Sequence, residues 1–230
     1  MRRKACGFDS RRPHQALLED SIVGERMAEP IEFFFDFASG YSYFAATEID
    51  ELAARHGRSV RWRAFSLGSS FKVTDAKPLT RTPLKAEYAA LDWARIARLK
   101  GLEFAMPVDH PHAGMPALRG FYWLDAQDPA LAVRFAKEVF RHYFAEGLAI
   151  DDAAAVAEVA RSLGADPSAF VAAVASPELK AKARAAGEDA VGRGVFGAPW
   201  LIVDGEPYWG WDRLPMVERK LAETGASEAR

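Results

Sequence analysis

The sequence predicts an α/β fold in which one sheet is assembled from both ends of the chain, in the order βαβ…ββα, around a large helical insertion. Three observations predict it. A strand, helix, strand pattern occupies residues 31–65, and a strand hairpin followed by a helix occupies residues 200–221. Between them runs an alanine-rich stretch with helical spacing and repeated helix-start signals.

Ile31 to Phe37 is apolar and aromatic, with Glu32 and Asp36 flanking its centre, and reads as a buried strand. After the turn Ser39-Gly40-Tyr41-Ser42, the residues Ala45, Ile49, Leu52 and Ala53 recur at helical spacing, and Gly57 is the stop. Ser59 to Phe65 alternates apolar and polar residues, which predicts a second strand and a right-handed crossover between the two. The middle predicts helices over Pro83–Lys100, Pro116–Leu124, Pro129–Phe144, Asp151–Leu163 and Pro167–Ala175, and a last one from Ser176-Pro177 to about Val191. Asp128-Pro129, Asp166-Pro167 and Ser176-Pro177 each pair a capping side chain with proline in the first turn. Trp200–Val203, Asp204-Gly205 and Glu206–Trp209 predict a hairpin, and a final helix is expected from Asp212 to Leu221. The domain reading is therefore a sheet domain from residues 30–66 and 192–223, a helical insertion at 67–191, a flexible N-terminal extension at 1–29 and a C-terminal tail at 224–230.

Composition narrows the function. The chain has 230 residues, 30 Lys plus Arg against 32 Asp plus Glu, and a net charge of -2, a balance that speaks against nucleic acid or an anionic membrane as the partner. No apolar run approaches the ~20 residues that span a bilayer. The basic start Met1-Arg2-Arg3-Lys4 has no apolar segment after it, so a secretory or twin-arginine signal is not expected. A single cysteine, Cys6, permits no internal disulfide and suits a reducing cytoplasm; it reads as a free surface thiol in the extension. His110 and His112 form a possible metal pair, but without a third spaced ligand they read as loop residues. Walker, dinucleotide-binding and nucleophile-elbow motifs do not occur.

Two motifs, FFFDFASGYSYFAA (33–46) and GVFGAPWLIVDGEPYWGWDRL (194–214), with FKVTDAKPLTRTPLKAEYAALDWARIARLKGL (71–102) in register between them, carry a family resemblance. The chain resembles the 2-hydroxychromene-2-carboxylate isomerases and the kappa-class glutathione transferases, within the DsbA-like group, from about Ile31 to Leu221. The resemblance implies a thioredoxin-like fold with a helical insertion, glutathione as cofactor, a small aromatic substrate and a homodimer. In a thioredoxin-type chain the turn at Ser39–Ser42 carries Cys-x-x-Cys; here hydroxyls replace both thiols, so disulfide exchange is not expected. A hydroxyl can instead donate a hydrogen bond to another molecule's thiolate.

The family's active-site serine falls on Ser39, which as a serine at a helix start is equally a natural N-cap. Ser42 reads as structural. Ala198-Pro199 resembles the cis-proline element opposite the active turn, leaving the Ala198 N–H and C=O to pair with the cysteinyl part of glutathione; an ordinary trans proline before a strand is the plainer alternative, but with Gly194-Val195-Phe196-Gly197 ahead the cis form is expected. Asp212, with Trp211 before it, falls where the family holds the γ-glutamyl arm, although a carboxylate there also suits a helix cap. Lys85 aligns with a family lysine that reaches the site, against the ordinary reading of a solvated lysine. Tyr41 and, more weakly, Lys72 are implied for the substrate. Two departures stand out. Gly40 replaces the usual proline and leaves the turn freer, and Ala76 replaces an asparagine, which implies a different substrate. The resemblance leaves three activities open: a glutathione-dependent isomerase, a kappa-like transferase, or a non-catalytic protein that binds a thiol ligand.

Overall fold

The computed structural model describes residues 29–228; the expectations for residues 1–28, Cys6 among them, lie outside these. Strand β1 (Ile31–Phe35) leads into α1 (Gly40–Ala46) and α2 (Ile49–Arg55), then β2 (Val60–Ala64) and α3 (Leu67–Thr74). The helical block follows: α4 (Lys85–Lys100), α5 (Met115–Asp125), α6 (Pro129–Arg141), α7 (Ala153–Ser162), α8 (Pro167–Ala175) and α9 (Pro177–Gly192). The chain closes with β3 (Trp200–Val203), β4 (Glu206–Trp209) and α10 (Leu214–Glu228).

The strands form one sheet in the order β2-β1-β3-β4, with β2 parallel to β1 and the other pairings antiparallel. Phe33 pairs with Trp62 on one side and Leu201 on the other, so the two ends of the chain meet across a single strand. The period-two alternation of β1 explains its composition. Phe33 and Phe35 enter the main core beside Trp62, Phe121 and Phe140. Phe34 points the other way, into a smaller core with Phe65, Val195 and Trp200. A strand covered on both faces is apolar throughout.

The proline-marked helix starts are capped as the sequence predicts. Asp128 accepts from Ala130 N–H, Asp166 from Ser168 N–H and Ser176 from Leu179 N–H. Four elements differ from expectation. The helix after β1 is two helices, because Thr47 turns its hydroxyl back onto the Phe44 carbonyl at 2.8 Å and the chain re-enters helix only after Glu48. Helix α3 was not signalled: its Gly-Ser-Ser opening has poor helix propensity. Tertiary contacts supply it, with Asp36 accepting the Leu67 N–H at 2.7 Å and Ser70 donating to Val195 O at 2.7 Å. Helix α6 ends at Arg141 in a π-helical turn, His142–Glu146, and α10 continues to Glu228, past the Leu221 where its pattern stops.

Candidate active site

A cavity of about 970 Å³ opens at the C-terminal end of β1. That is near the top of the roughly 300–1,000 Å³ range of small-molecule sites. Its wall combines the turn before α1, the loop before β3, the turn before α10 and the segment joining α3 to α5. Of the residues singled out by sequence, Ser39, Tyr41, Lys85, Ala198, Trp211 and Asp212 line it; Lys72 and Pro199 do not. Lys72 lies in the last turn of α3, exposed, and the Pro199 carbonyl accepts the Gly210 N–H at 3.0 Å.

Ser39 is buried, 7% exposed, at the N-cap of α1. Its Oγ accepts the Ser42 N–H at 3.2 Å and donates to the Ala198 carbonyl at 3.1 Å. The capping role is therefore present, and it uses a lone pair rather than the proton. Ala198–Pro199 is cis, in agreement with the sequence reading, but the Ala198 carbonyl is not free: the Ser39 hydroxyl occupies it. Ser42 is fully buried, and its Oγ has no hydrogen-bond partner among the described residues.

Asp36, at the end of β1, ties the floor together. Its carboxylate accepts from Ala38 N–H at 2.8 Å and Leu67 N–H at 2.7 Å, while burial pushes its pKa up. Tyr41 donates to Asp92 at 2.9 Å, and burial with that carboxylate raises its pKa well above the usual phenol range. Gly40 has a structural reason that the sequence did not disclose. A Cβ there would lie 2.5 Å from the Trp93 ring, whereas its backbone is one any residue adopts. The glycine makes room for an aromatic ring; turn freedom is not what the site requires.

Asp212 lies in a single 3₁₀ turn, Trp211–Arg213, that has no side-chain cap. Its side chain is 64% exposed and meets Arg213 at 3.6 Å, so the capping reading has no hydrogen bond behind it and the carboxylate remains open to a ligand. Trp211 is held from behind. Its indole N–H donates to Glu48 at 2.8 Å, Glu48 pairs with Lys100, and the Lys100 ammonium lies 5.0 Å from the indole ring. Lys85 is exposed at the start of α4. Ala76 is part of the wall, beside Lys77 and Pro78.

Trp93, Phe196 and Trp209 stand on the wall without a functional reading in the sequence, and His110, weighed there only as half of a metal pair, stands on it too. Phe196 and Trp209 stack edge to face with ring centres 4.7 Å apart and are 42% and 54% exposed, an aromatic rim beside Ala198. Their aromatic character and their closeness to the Ala198-Pro199 motif were the available signal. His110 is 8% exposed, and its Nδ1 lies 2.8 Å from the Tyr143 hydroxyl. Burial, then the neighbouring His112 and Arg81, pull its pKa down to about 4. His112 uses both nitrogens, on Val108 O at 2.7 Å and Asp151 at 3.1 Å, and these contacts raise its pKa. Among the described residues no group of three or more His, Cys, Asp or Glu is placed to hold a metal, and no helix is long and apolar enough to cross a membrane.

Over residues 30–222 the chain matches the DsbA-like thioredoxin domain family. It is 32% identical to a 2-hydroxychromene-2-carboxylate isomerase of Pseudomonas putida over 193 residues, covering 83% of this chain and 93% of that one. A glutathione S-transferase kappa 2 of Caenorhabditis elegans is 30% identical over 206 residues, covering 84% and 92%. A solved structure of a 2-hydroxychromene-2-carboxylate isomerase superposes with a TM-score of 0.79 at 28% identity, over 87% of this chain and 98% of that one. With its sheet order, its cis Ala198–Pro199 peptide and its serine-bearing turn, the chain belongs to the DsbA-like thioredoxin-domain family, among relatives named as 2-hydroxychromene-2-carboxylate isomerases and kappa glutathione transferases.

Proposed function

We propose that the protein is a glutathione-dependent isomerase of an aromatic 2-oxo acid of the 2-hydroxychromene-2-carboxylate kind. The observation that carries this reading is the hydrogen bond from Ser39 to the Ala198 carbonyl. It joins a hydroxyl at a helix N-terminus to the backbone acceptor that a bound peptide would seek. When the cysteinyl N–H of glutathione takes the Ala198 carbonyl, the Ser39 proton is released to the incoming sulfur. A free thiol has a pKa near ~8.5, and a hydroxyl donor together with the helix N-terminus favours its charged form. Asp212 holds the ammonium of the γ-glutamyl arm, with Trp211 shaping that end of the cavity and Lys85 available to a carboxylate. Tyr41 lies on the substrate side, and the Phe196–Trp209 rim offers apolar surface to an aromatic ring.

The thiolate adds to the carbon β to the activating carbonyl, forming a C–S bond while the double-bond pair moves toward the carbonyl oxygen. The former double bond is now single and rotates. The pair then returns, the C–S bond breaks, and glutathione leaves unchanged. The protein supplies thiolate stabilisation and positioning.

Ser39→Ala tests the proposal. Loss of one such donor lowers kcat by about 100- to 1,000-fold, read with glutathione and an aromatic 2-oxo acid substrate; turnover and glutathione affinity equal to the native protein's would end it. A transferase on the same scaffold is the second reading, favoured by the kappa 2 relative at 30% identity. Isomerisation without net loss of thiol supports the first reading, and stoichiometric thiol consumption supports the second. A cytoplasmic homodimer belongs to the same proposal, and sedimentation of the purified protein checks the dimer.

A further inference from the structure

His110 stands on the cavity wall with Nδ1 beside the Tyr143 hydroxyl. The Tyr143 hydroxyl oxygen is fully buried and accepts the His112 N–H at 3.2 Å. Among the described residues its remaining polar partner is His110 Nδ1, at 2.8 Å. The one proton of the phenol therefore goes to Nδ1, which must accept it. By the hydrogen-bond network, the ring proton is then on Nε2. Nε2 has no hydrogen-bond partner among the described residues, and it is not among the sealed, unpaired polar atoms of the interior. The ring lines the cavity while its Nδ1 edge is turned onto Tyr143, which leaves the Nε2 edge for the cavity.

The same ring reaches the hydroxyl turn through one intervening side chain. Trp93 covers Gly40, the neighbour of Ser39, and meets His110 edge to face at 5.4 Å, so one indole separates the turn from the imidazole. Phe144 packs against the imidazole at 5.8 Å. In such surroundings the neutral ring is the stable form near neutral pH, consistent with its depressed pKa. A neutral imidazole cannot offer a charge, but a preorganised N–H in a water-poor wall can stabilise an oxygen that gains charge during reaction.

We propose that His110 is a further catalytic residue, whose Nε2–H holds the carbonyl oxygen of a 2-oxo acid and stabilises it as it becomes an enolate oxygen. This rests on the isomerase reading above. When the thiolate pair forms the C–S bond, the double-bond pair moves to give an enolate, and the added charge collects on that oxygen. The Nε2–H stays on nitrogen throughout; it donates a hydrogen bond and transfers no proton. On reversal the electron pair returns and the sulfur departs. Tyr143 is a positioning residue, because it sets which imidazole nitrogen carries the proton.

Two measurements test the assignment. The first is nitrogen-15 NMR of the histidine rings in the native protein, near neutral pH. His110 is expected as the neutral Nε2–H tautomer, and its Nε2–H signal is expected to move when a saturated, non-isomerisable aromatic 2-oxo acid is added. An Nδ1–H tautomer, a cationic ring, or a signal that ignores the ligand overturns the proposal whether or not Ser39 and glutathione act as described. If the shift is seen and the native protein shows no glutathione-dependent turnover, the isomerase reading has failed and the binding contact stands. The second is kinetic. His110→Phe is expected to lower kcat about 100-fold with the KM for glutathione within about threefold, and His110→Gln, which keeps an N–H donor, to recover about tenfold of the loss. Equal loss in both folded variants, or a kcat within about threefold of native in His110→Phe, overturns it; misfolding of His110→Phe leaves the NMR result to decide.

Discussion

Ser39 has one proton, and in the proposed mechanism two acceptors compete for it. In the free protein the Ala198 carbonyl has it, at 3.1 Å, and any sulfur that enters must win it from there. A peptide ligand that satisfies this carbonyl with its own N–H makes the exchange nearly even in hydrogen bonds, whereas a bare thiol lacking a backbone does not. The geometry thus favours a peptidyl thiol over a small one. His110 has a second consequence at this scale, in stability. Its folded pKa is about 4, below the 6.5 of the free side chain, so between these values the unfolded chain binds more protons than the folded one. Stability from this group is therefore complete above about pH 6.5 and falls as pH drops toward 4, with about 2 kcal/mol lost by pH 5. His112, with its raised pKa, titrates in the opposite sense. Denaturant titrations at neutral pH and at about pH 5 check this. His110→Gln should lose less stability on acidification than the native protein; parallel losses would show that His110 is not held neutral by burial.

Among the elements, the short turn before α10 depends on a distant partner for its position. Glu48, between α1 and α2, accepts the Trp211 indole N–H and pairs with Lys100, and it makes no cap hydrogen bond of its own. Its removal therefore tests the turn with little damage elsewhere. Glu48→Ala should cost under ~1 kcal/mol of stability, as a half-exposed ion pair does. It should raise the KM for glutathione by about three- to tenfold through a lost hydrogen bond of ~1 kcal/mol, with kcat nearly unchanged. Unchanged glutathione binding would remove the Trp211 turn from the site. The same elements show why some local structure could be read from sequence and some could not. The proline-marked starts of α6, α8 and α9 carry their own caps, so the signal is local. Helix α3 and the break at Thr47 depend on Asp36, Val195 and a hydroxyl turned back on its own helix, contacts that residue order alone does not reveal.

For the whole molecule, the meeting of both chain ends in one sheet was legible because Ser59–Phe65 alternates with period two and Asp204-Gly205 marks a tight hairpin turn; the strand order itself came from the structure. What was legible of the candidate site lay mostly on the two terminal motifs, although Phe196 and Trp209 on the second of them were missed, and the site was obscure where the insertion folds back over them. Ser39, Ala198 and Asp212 belong to the first kind; Trp93 and His110, reached only by tertiary packing, to the second. Since β1 joins both ends of the chain, a ligand that bridges the turn before α1 and the loop before β3 stabilises the entire fold. At one hundred times its dissociation constant, a ligand of the folded state adds about 2.7 kcal/mol. For a chain of this size that amounts to a rise in Tm of about 5–10 °C. A thermal scan with millimolar glutathione checks it, and a Tm unmoved by glutathione would count against glutathione as the cofactor.

Gly40 and Trp93 share a single volume, because the indole fills the space a side chain at 40 would need. Residue 40 cannot gain a side chain while the indole stays in place. Gly40→Ala should displace the ring and destabilise the protein by roughly 1–3 kcal/mol, the usual cost of overpacking. Adding Trp93→Leu should return part of that loss, giving a favourable coupling in a double-mutant cycle on thermal stability. Strictly additive effects would mean the two do not compete for space. A side chain gained at residue 40 therefore has to be matched by a smaller one on α4.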